Sequence, residues 1–350
     1  MRNLLDNILY KEDIDYVAKL NLPWEKLQNT NVMITGAYGL LGSFLADVLM
    51  RKNEETGMNC SVYAIGRNSA AAEERFAPYK KKELFSLITH DISQPLRIEK
   101  GFDYIIHLAS NTHPLAYSTH PVSTITANVI GTNNLLGHAA EYGCRRFIFA
   151  SSNEVYGENR GDTELFDEKY CGYIDCNTLR AGYPESKRCG EALCWAYMRE
   201  CGVEFAIPRF TRSYGPTLLQ SDTKAMSQFI RKALSGEDIV LKSEGNQYYS
   251  YSYVADAVSG LLTVLLKGET GGVYNVADGK SDIRLKDLAV LIAGICGRKV
   301  VYEVPDSAEK TGYSTATKAR LDGSRLKKLG WEMKYNIKAG VERTIAIMSD

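Results

Sequence analysis

The chain has 350 residues, 45% of them hydrophobic and 24% charged, with 42 basic side chains cancelling 42 acidic ones. That length allows one large domain or two joined ones, and zero net charge gives no electrostatic reason to expect a nucleic-acid or membrane-surface partner. There is no apolar run near the roughly 20 residues that span a bilayer, no signal-peptide pattern at the start, and no Cys-x-x-Cys or zinc-spaced Cys/His cluster among the eight cysteines, so reduced thiols, no metal site and a cytoplasmic setting are expected.

Residues 1–30 read as short helices preceding the main fold, because Leu4, Leu5, Ile8, Ile14, Val17 and Leu20 recur at helical spacing. From Asn31 the pattern changes to short apolar strands at 32–34, 62–65, 104–108, 147–150 and 203–207. Helical stretches at 40–52, 122–142 and 183–201 alternate with them. Strands apolar on both faces, alternating with helices, imply an α/β fold with a doubly wound parallel sheet. After Pro208 the rhythm loosens into helices near 223–235, 254–267 and 284–296, with strands at 239–242, 272–276 and 299–303. The expected division is a helical extension (1–30), a sheet domain (31–208) and a smaller C-terminal α/β lobe (209–350), some of whose segments return to the first domain.

The first strand runs directly into Gly36-Ala37-Tyr38-Gly39-Leu40-Leu41-Gly42 and then an apolar helix. Glycines at this spacing permit a tight turn, close approach of backbone to a pyrophosphate, and close packing of helix on strand, with the phosphates at the helix N-terminus. This is the fingerprint of a Rossmann dinucleotide-binding domain. The second strand ends in Gly66-Arg67, where an acidic residue for the adenosine ribose is usual. Loss of that charge beside a guanidinium suits the 2′-phosphate of NADP, while Arg67 stacked on adenine would leave NAD as the cofactor. Asp91 and Ile92, after the strand-like 87–89, fall where the adenine amino group is received.

Tyr183 and Lys187, at i and i+4, lie on one helix face, where an ammonium and the nicotinamide charge would favour tyrosinate as an acid/base. Upstream, a buried strand ends in Ser151-Ser152-Asn153-Glu154-Val155-Tyr156-Gly157, at the crevice where such sheets bind ligands.

The glycine loop, His107–Ser110, Asn128–Thr132, Ser151–Gly157, Tyr183–Lys187 and Arg209–Pro216 occur in the order and spacing of extended short-chain dehydrogenases/reductases. Over about residues 31–345 the chain resembles the NAD-dependent nucleotide-sugar epimerase/dehydratase family, and within it UDP-glucuronate decarboxylases. The resemblance implies Tyr183 as catalytic base, Lys187 lowering its pKa and holding the nicotinamide ribose, Ser152 binding the reacting hydroxyl, and Glu154 at the catalytic acidic position. Leu108, Ala109, Ser110 and Asn128 are then expected at the dinucleotide, and His113, Asn153, Arg212, Lys224 and Tyr249 at a nucleotide-sugar substrate. Three departures stand out. Asn153 replaces the acid that 4,6-dehydration needs, since an amide has no transferable proton. Tyr248–Tyr251 stand where an arginine is usual, and Arg212 stands where an asparagine is usual, as if one guanidinium had been relocated. The implied activity passes through a 4-keto sugar, by decarboxylation or epimerisation, in a homodimer. An NADPH-dependent keto-sugar reductase and a catalytically silent dinucleotide sensor are the alternatives.

Overall fold

Apolar runs buried on both faces become the strands of one parallel sheet in the computed structural model, which describes residues 3–112, 114–303 and 317–350. The strands are β1 (Asn31–Thr35), β2 (Ser61–Gly66), β3 (Phe85–Thr89), β4 (Tyr104–His107), β5 (Arg146–Phe149), β6 (Ser151–Ser152) and β7 (Phe205–Phe210). They are followed by β8 (Arg212–Tyr214), β9 (Ile239–Leu241), β10 (Tyr248–Tyr253), β11 (Gly272–Val276) and β12 (Asp282–Arg284). The main sheet runs β11-β7-β5-β4-β1-β2-β3, with β6 continuing along β7, and every pairing in it is parallel. Strand order reverses beside β1, so loops leaving β1 and β4 diverge and open a crevice at the carboxyl edge.

Helices α1 (Ile8–Ala18), α2 (Leu40–Thr56), α3 (Ser69–Arg75), α4 (Pro114–Thr119), α5 (Pro121–Tyr142) and α6 (Gly182–Cys201) belong to the first part of the chain. Helices α7 (Ala225–Leu234), α8 (Val254–Lys267) and α9 (Leu285–Cys296) follow. In α8 every residue from Val254 to Leu266 is buried, Asp256 included, whose carboxylate accepts the Lys334 and Tyr335 N–H groups. A second, small sheet places β10 between β12 and a short strand at Lys318–Ala319, and β8 also pairs with β10 in parallel, Arg212 opposite Tyr251. Because β8 follows β7 after a single residue, that small sheet stands at the carboxyl edge of the large one.

The sequence reading stopped the fifth strand before Pro208, yet β7 continues to Phe210. Proline lacks the N–H that a ladder needs. Here Ala206 pairs with Ile148 of β5 and Arg209 with Ser151 of β6, so Pro208 falls in the break between those two partners. Its other flank, opposite Tyr274 of β11, keeps the register.

The opening segment is fastened by two buried carboxylates. Asp47 of α2 accepts hydroxyls from Tyr10 (2.6 Å) and Tyr79 (2.9 Å) and pairs with Arg75. Asp13 of α1 accepts from Tyr253 (2.6 Å) and Tyr335 (2.7 Å) and pairs with Arg343. Apolar spacing had put Ile8 on the packed face of α1; it is 73% exposed, whereas Tyr10 and Asp13 are fully buried. Hydrogen-bonded polar groups, which spacing cannot see, decide that helix's inner face.

Candidate active site

A cavity of about 1650 Å³ opens along the carboxyl edge of the main sheet and reaches under the small one. Its walls include Gly36, Tyr38, Gly39, Leu40, Leu41, Gly42, Arg67, Asp91, Ile92, Leu108, Ala109 and Ser110 on one side. Ser152, Asn153, Glu154, Tyr183, Lys187, Arg212, Lys224 and Tyr249 line the remainder. Asn128 is not on that wall: it is buried between α5 and α6, donating to Ser186 Oγ at 2.9 Å. His113 lies outside the described residues.

The dinucleotide end is built by the β1–α2 turn. Gly36 has φ +67°, and a Cβ there would stand 2.8 Å from the Ala109 backbone, so only glycine lets this turn close against the end of β4. Gly39 caps α2 without a side-chain hydrogen bond, so no cap side chain takes up the first-turn N–H groups of Leu40, Leu41 and Gly42, which all line the cavity. Ser43 Oγ, in the same turn and on the cavity wall, is buried without a partner among the described residues. An unfilled donor set and an orphaned hydroxyl at a helix N-terminus fit a pyrophosphate. At the adenosine end, burial alone would raise the Asp91 carboxyl, but Ser93's N–H (2.9 Å) and hydroxyl (2.8 Å), with Arg67 nearby, outweigh it and hold Asp91 below the usual range. Arg67 itself donates to Asn111 Oδ1 at 3.1 Å.

Deeper in the cavity, the turn after β6 and the start of α6 bring the proton-handling groups together. Ser152 caps the short 153–156 turn, its hydroxyl accepting from the Glu154 N–H at 3.3 Å, on the same cavity wall as Tyr183. The Tyr117 ring stacks on Tyr183, centroids 4.7 Å apart. Glu154 pairs with Arg180 at 2.5 Å, and the Arg180 guanidinium lies over the Tyr117 ring. Burial raises the Tyr183 phenol and the Glu154 charge raises it further, while Ser152, Arg180 and Tyr117 pull it down. Burial also pushes the Lys187 ammonium down to about 7, against the charge of Glu191. Its Nζ donates to the Ala150 carbonyl at 2.8 Å. His107 is no acid or base here: burial, with Lys187's charge added, pushes it down to about 3, and its ring nitrogens are engaged by Thr35 (2.8 Å) and Thr132 (3.1 Å).

On the opposite wall, the Arg212 guanidinium lies flat on Tyr249, 3.4 Å from its ring centroid, and its Nη1 is buried without a partner among the described residues. Lys224 pairs with Asp222 (3.5 Å) and reaches Thr112 (3.5 Å), with its side chain still 31% exposed. The sequence reading missed Tyr117 and Arg180 as site residues. Arg180 carried a signal, since it sits one helical turn before Tyr183; nothing marked Tyr117 among 22 tyrosines.

Comparisons with known proteins agree with this geometry. The model of a family described as "NAD dependent epimerase/dehydratase family" matches residues 32–277. The chain is 32% identical over 318 residues to UDP-glucuronic acid decarboxylase 6 of Arabidopsis thaliana, covering 89% of this chain and 87% of that one. It is 31% identical over 319 residues to UDP-glucuronic acid decarboxylase 1 of Danio rerio, covering 91% and 72%. In fold it is similar to a dTDP-glucose 4,6-dehydratase from Streptomyces venezuelae, with a TM-score of 0.79 at 23% identity over 91% of this chain and 96% of that one. With a Rossmann sheet, a glycine turn shaped for a dinucleotide and a family match across most of its length, the chain belongs to the NAD-dependent epimerase/dehydratase family and is one of its enzymes.

Proposed function

We propose that the chain converts a nucleotide-linked sugar through a 4-keto intermediate, as a decarboxylase or an epimerase does. The observation that carries this reading is the gathering of Ser152, Tyr183 and Lys187 on one cavity wall, with Tyr117 stacked on Tyr183 and the Glu154–Arg180 pair beside them. On this reading residues 31–208 supply the dinucleotide side of that cavity, and 209–350, apart from segments such as β11 that return to the main sheet, supply most of the sugar side.

Tyr183 takes the proton from the sugar's 4-hydroxyl, and Ser152 orients that hydroxyl by hydrogen bonding. A bound nicotinamide would supply the hydride acceptor and return the hydride at the end of the cycle. Lys187, near 7, is poised to hold or release a proton at neutral pH and would hold the nicotinamide ribose of a bound dinucleotide. The resulting 4-ketone accepts negative charge from an adjacent C–H or C–carboxylate bond, which is what makes decarboxylation or epimerisation possible. Asn153, buried beside Ser152, has no proton to give a leaving hydroxyl, which disfavours 4,6-dehydration. Arg212, planar on Tyr249 with an unfilled N–H, suits the carboxylate or diphosphate of the substrate. The decarboxylase relatives support an acidic sugar.

A second reading, a net NADPH-dependent keto-sugar reductase, is favoured by Gly66 and Arg67 at the end of β2. In either case the eight unpaired cysteines, four of them exposed, suit the reducing cytoplasm. Homodimerisation through α5 and α6 is supported by the exposed Val122 (72%) and Trp195 (49%) on those helices.

Mass spectrometry of nucleotide released from the purified protein, followed by incubation with UDP-, dTDP-, CDP- and GDP-sugars, identifies the reaction. Tyr183→Phe is expected to lower turnover roughly 10²–10⁴-fold while leaving dinucleotide binding intact. A variant keeping more than about a tenth of wild-type turnover overturns the role of Tyr183.

A further inference from the structure

The end of β2 lacks an acid for a steric reason. A Cβ on Gly66 would lie 2.0 Å from Cε1 and 2.5 Å from Cδ1 of Tyr38, the residue inside the glycine turn. The phenol ring therefore fills the space that a side chain at position 66 would need. It is held there at both ends. Its hydroxyl accepts a hydrogen bond from the Asn68 N–H at 3.0 Å, and the half-buried ring packs against the main core. Displacing it costs that bond and that packing together. Tyr38, Gly66, Arg67 and Asn68 all face the cavity, and Arg67 is the cation nearest in sequence.

We propose that Tyr38, rather than residue 66, decides which dinucleotide the chain accepts. The inference rests on the dinucleotide reading above. By standing in the acid's place, Tyr38 removes the carboxylate that would grip the two ribose hydroxyls of NAD and would repel the 2′-phosphate of NADP. The adenosine ribose then meets an uncharged phenol beside the Arg67 guanidinium. NADP is accepted at least as well as NAD, and an acid cannot be restored at position 66 while the ring remains.

The test is titration of NAD and NADP by calorimetry against wild type, Gly66→Asp, Tyr38→Ala and Tyr38→Ala/Gly66→Asp, with thermal unfolding of each without ligand. Wild type is expected to bind NADP no more weakly than NAD. Gly66→Asp alone should unfold at lower temperature than wild type, and weaken both dinucleotides without separating them by more than about threefold. The double variant should recover the lost thermal stability and prefer NAD by at least about tenfold, the scale of a charge-assisted hydrogen bond gained and a phosphate repelled. If Gly66→Asp does not fold but the double variant does, the steric part of the proposal stands on that rescue. The proposal is overturned if Gly66→Asp alone acquires the NAD preference of the double variant. A double variant without that preference, or a wild type preferring NAD more than tenfold, also overturns it. A wild type that binds neither dinucleotide refutes the cofactor reading itself, a result distinguishable from all of these.

Discussion

Lys187→Met should stabilise the dinucleotide-free protein while destroying its activity. Lys187 is 2% exposed, its Nζ bonded to one carbonyl and set over the Phe149 ring, and burial has pushed its ammonium from 10.5 to about 7. The folded state thus holds this proton less tightly than the unfolded state does. Between about pH 7 and 10.5 unfolding takes up a proton, so stability rises with pH across that window, and the cost of the buried cation is fully present below it. At 1.36 kcal/mol per pKa unit, the cost is on the order of 4–5 kcal/mol at pH 6 and on the order of 2 kcal/mol at pH 9. Methionine has a similar length and no charge, but it leaves the Ala150 carbonyl without its donor, a loss of about 1 kcal/mol. The net expectation is a variant more stable than wild type by about 3–4 kcal/mol at pH 6 and by about 1 kcal/mol at pH 9. Urea unfolding of both proteins, stripped of dinucleotide, at pH 6, 7.5 and 9 measures this directly. A variant less stable than wild type at pH 6, or a difference that does not shrink with pH, refutes the reasoning. The cost fits a residue retained for chemistry rather than for stability.

The Glu154–Arg180 pair makes opposite predictions for its two members. Glu154→Gln removes the charge that raises the Tyr183 phenol, so ultraviolet titration should move Tyr183 to lower pH; Arg180→Ala should move it to higher pH, and shifts in one common direction would exclude the pair as its control. Asp47→Ala leaves the half-buried Arg75 cation and the Tyr10 and Tyr79 hydroxyls without their carboxylate and should cost about 3 kcal/mol in urea unfolding; a loss below about 1 kcal/mol would show that α1 is held by other contacts. Light scattering at micromolar concentration should give a dimer, and a monomer there would mean that the apolar residues exposed on α5 and α6 face water.

The parallel sheet was legible because strands buried on both faces leave unbroken apolar runs, such as Val32–Ile34 and Ile105–Ile106. Their ends were less so: whether Pro208 closes a strand depends on a break in the neighbouring ladder, which no local window contains. At the site, motifs continuous in sequence could be read directly, namely the glycine turn, the Ser151–Gly157 turn and the Tyr183–Lys187 helix start. What escaped are groups joined only by the fold. Tyr117 reaches Tyr183 across 66 positions of sequence, and Tyr38 blocks Gly66 across 28, by difference of their numbers. Asn128, placed by its motif at the dinucleotide, lies between α5 and α6 with its amide donating to Ser186, a contact no local window reveals. That Arg212 meets Tyr249 could not be read locally either, because it depends on the pairing of β8 with β10.

The last strand of the main sheet has a consequence for synthesis. β7 ends at Phe210, but β11, which covers its outer edge, begins only at Gly272, after β8, β10 and the wholly buried α8 have been laid down. A nascent chain therefore displays the backbone groups of β7 as an open sheet edge until most of the polypeptide has left the ribosome. Pro208 removes one donor from that edge strand, but the flanking residues remain able to pair with another copy. Since every residue of α8 from Val254 to Leu266 is buried in the finished fold, it too exposes apolar surface until its neighbours dock. A translation arrest between Phe210 and Gly272 should yield a species that aggregates or is held by chaperones, more so than the full-length chain. For this architecture the hazardous interval of biogenesis is set by the order in which strands enter the sheet.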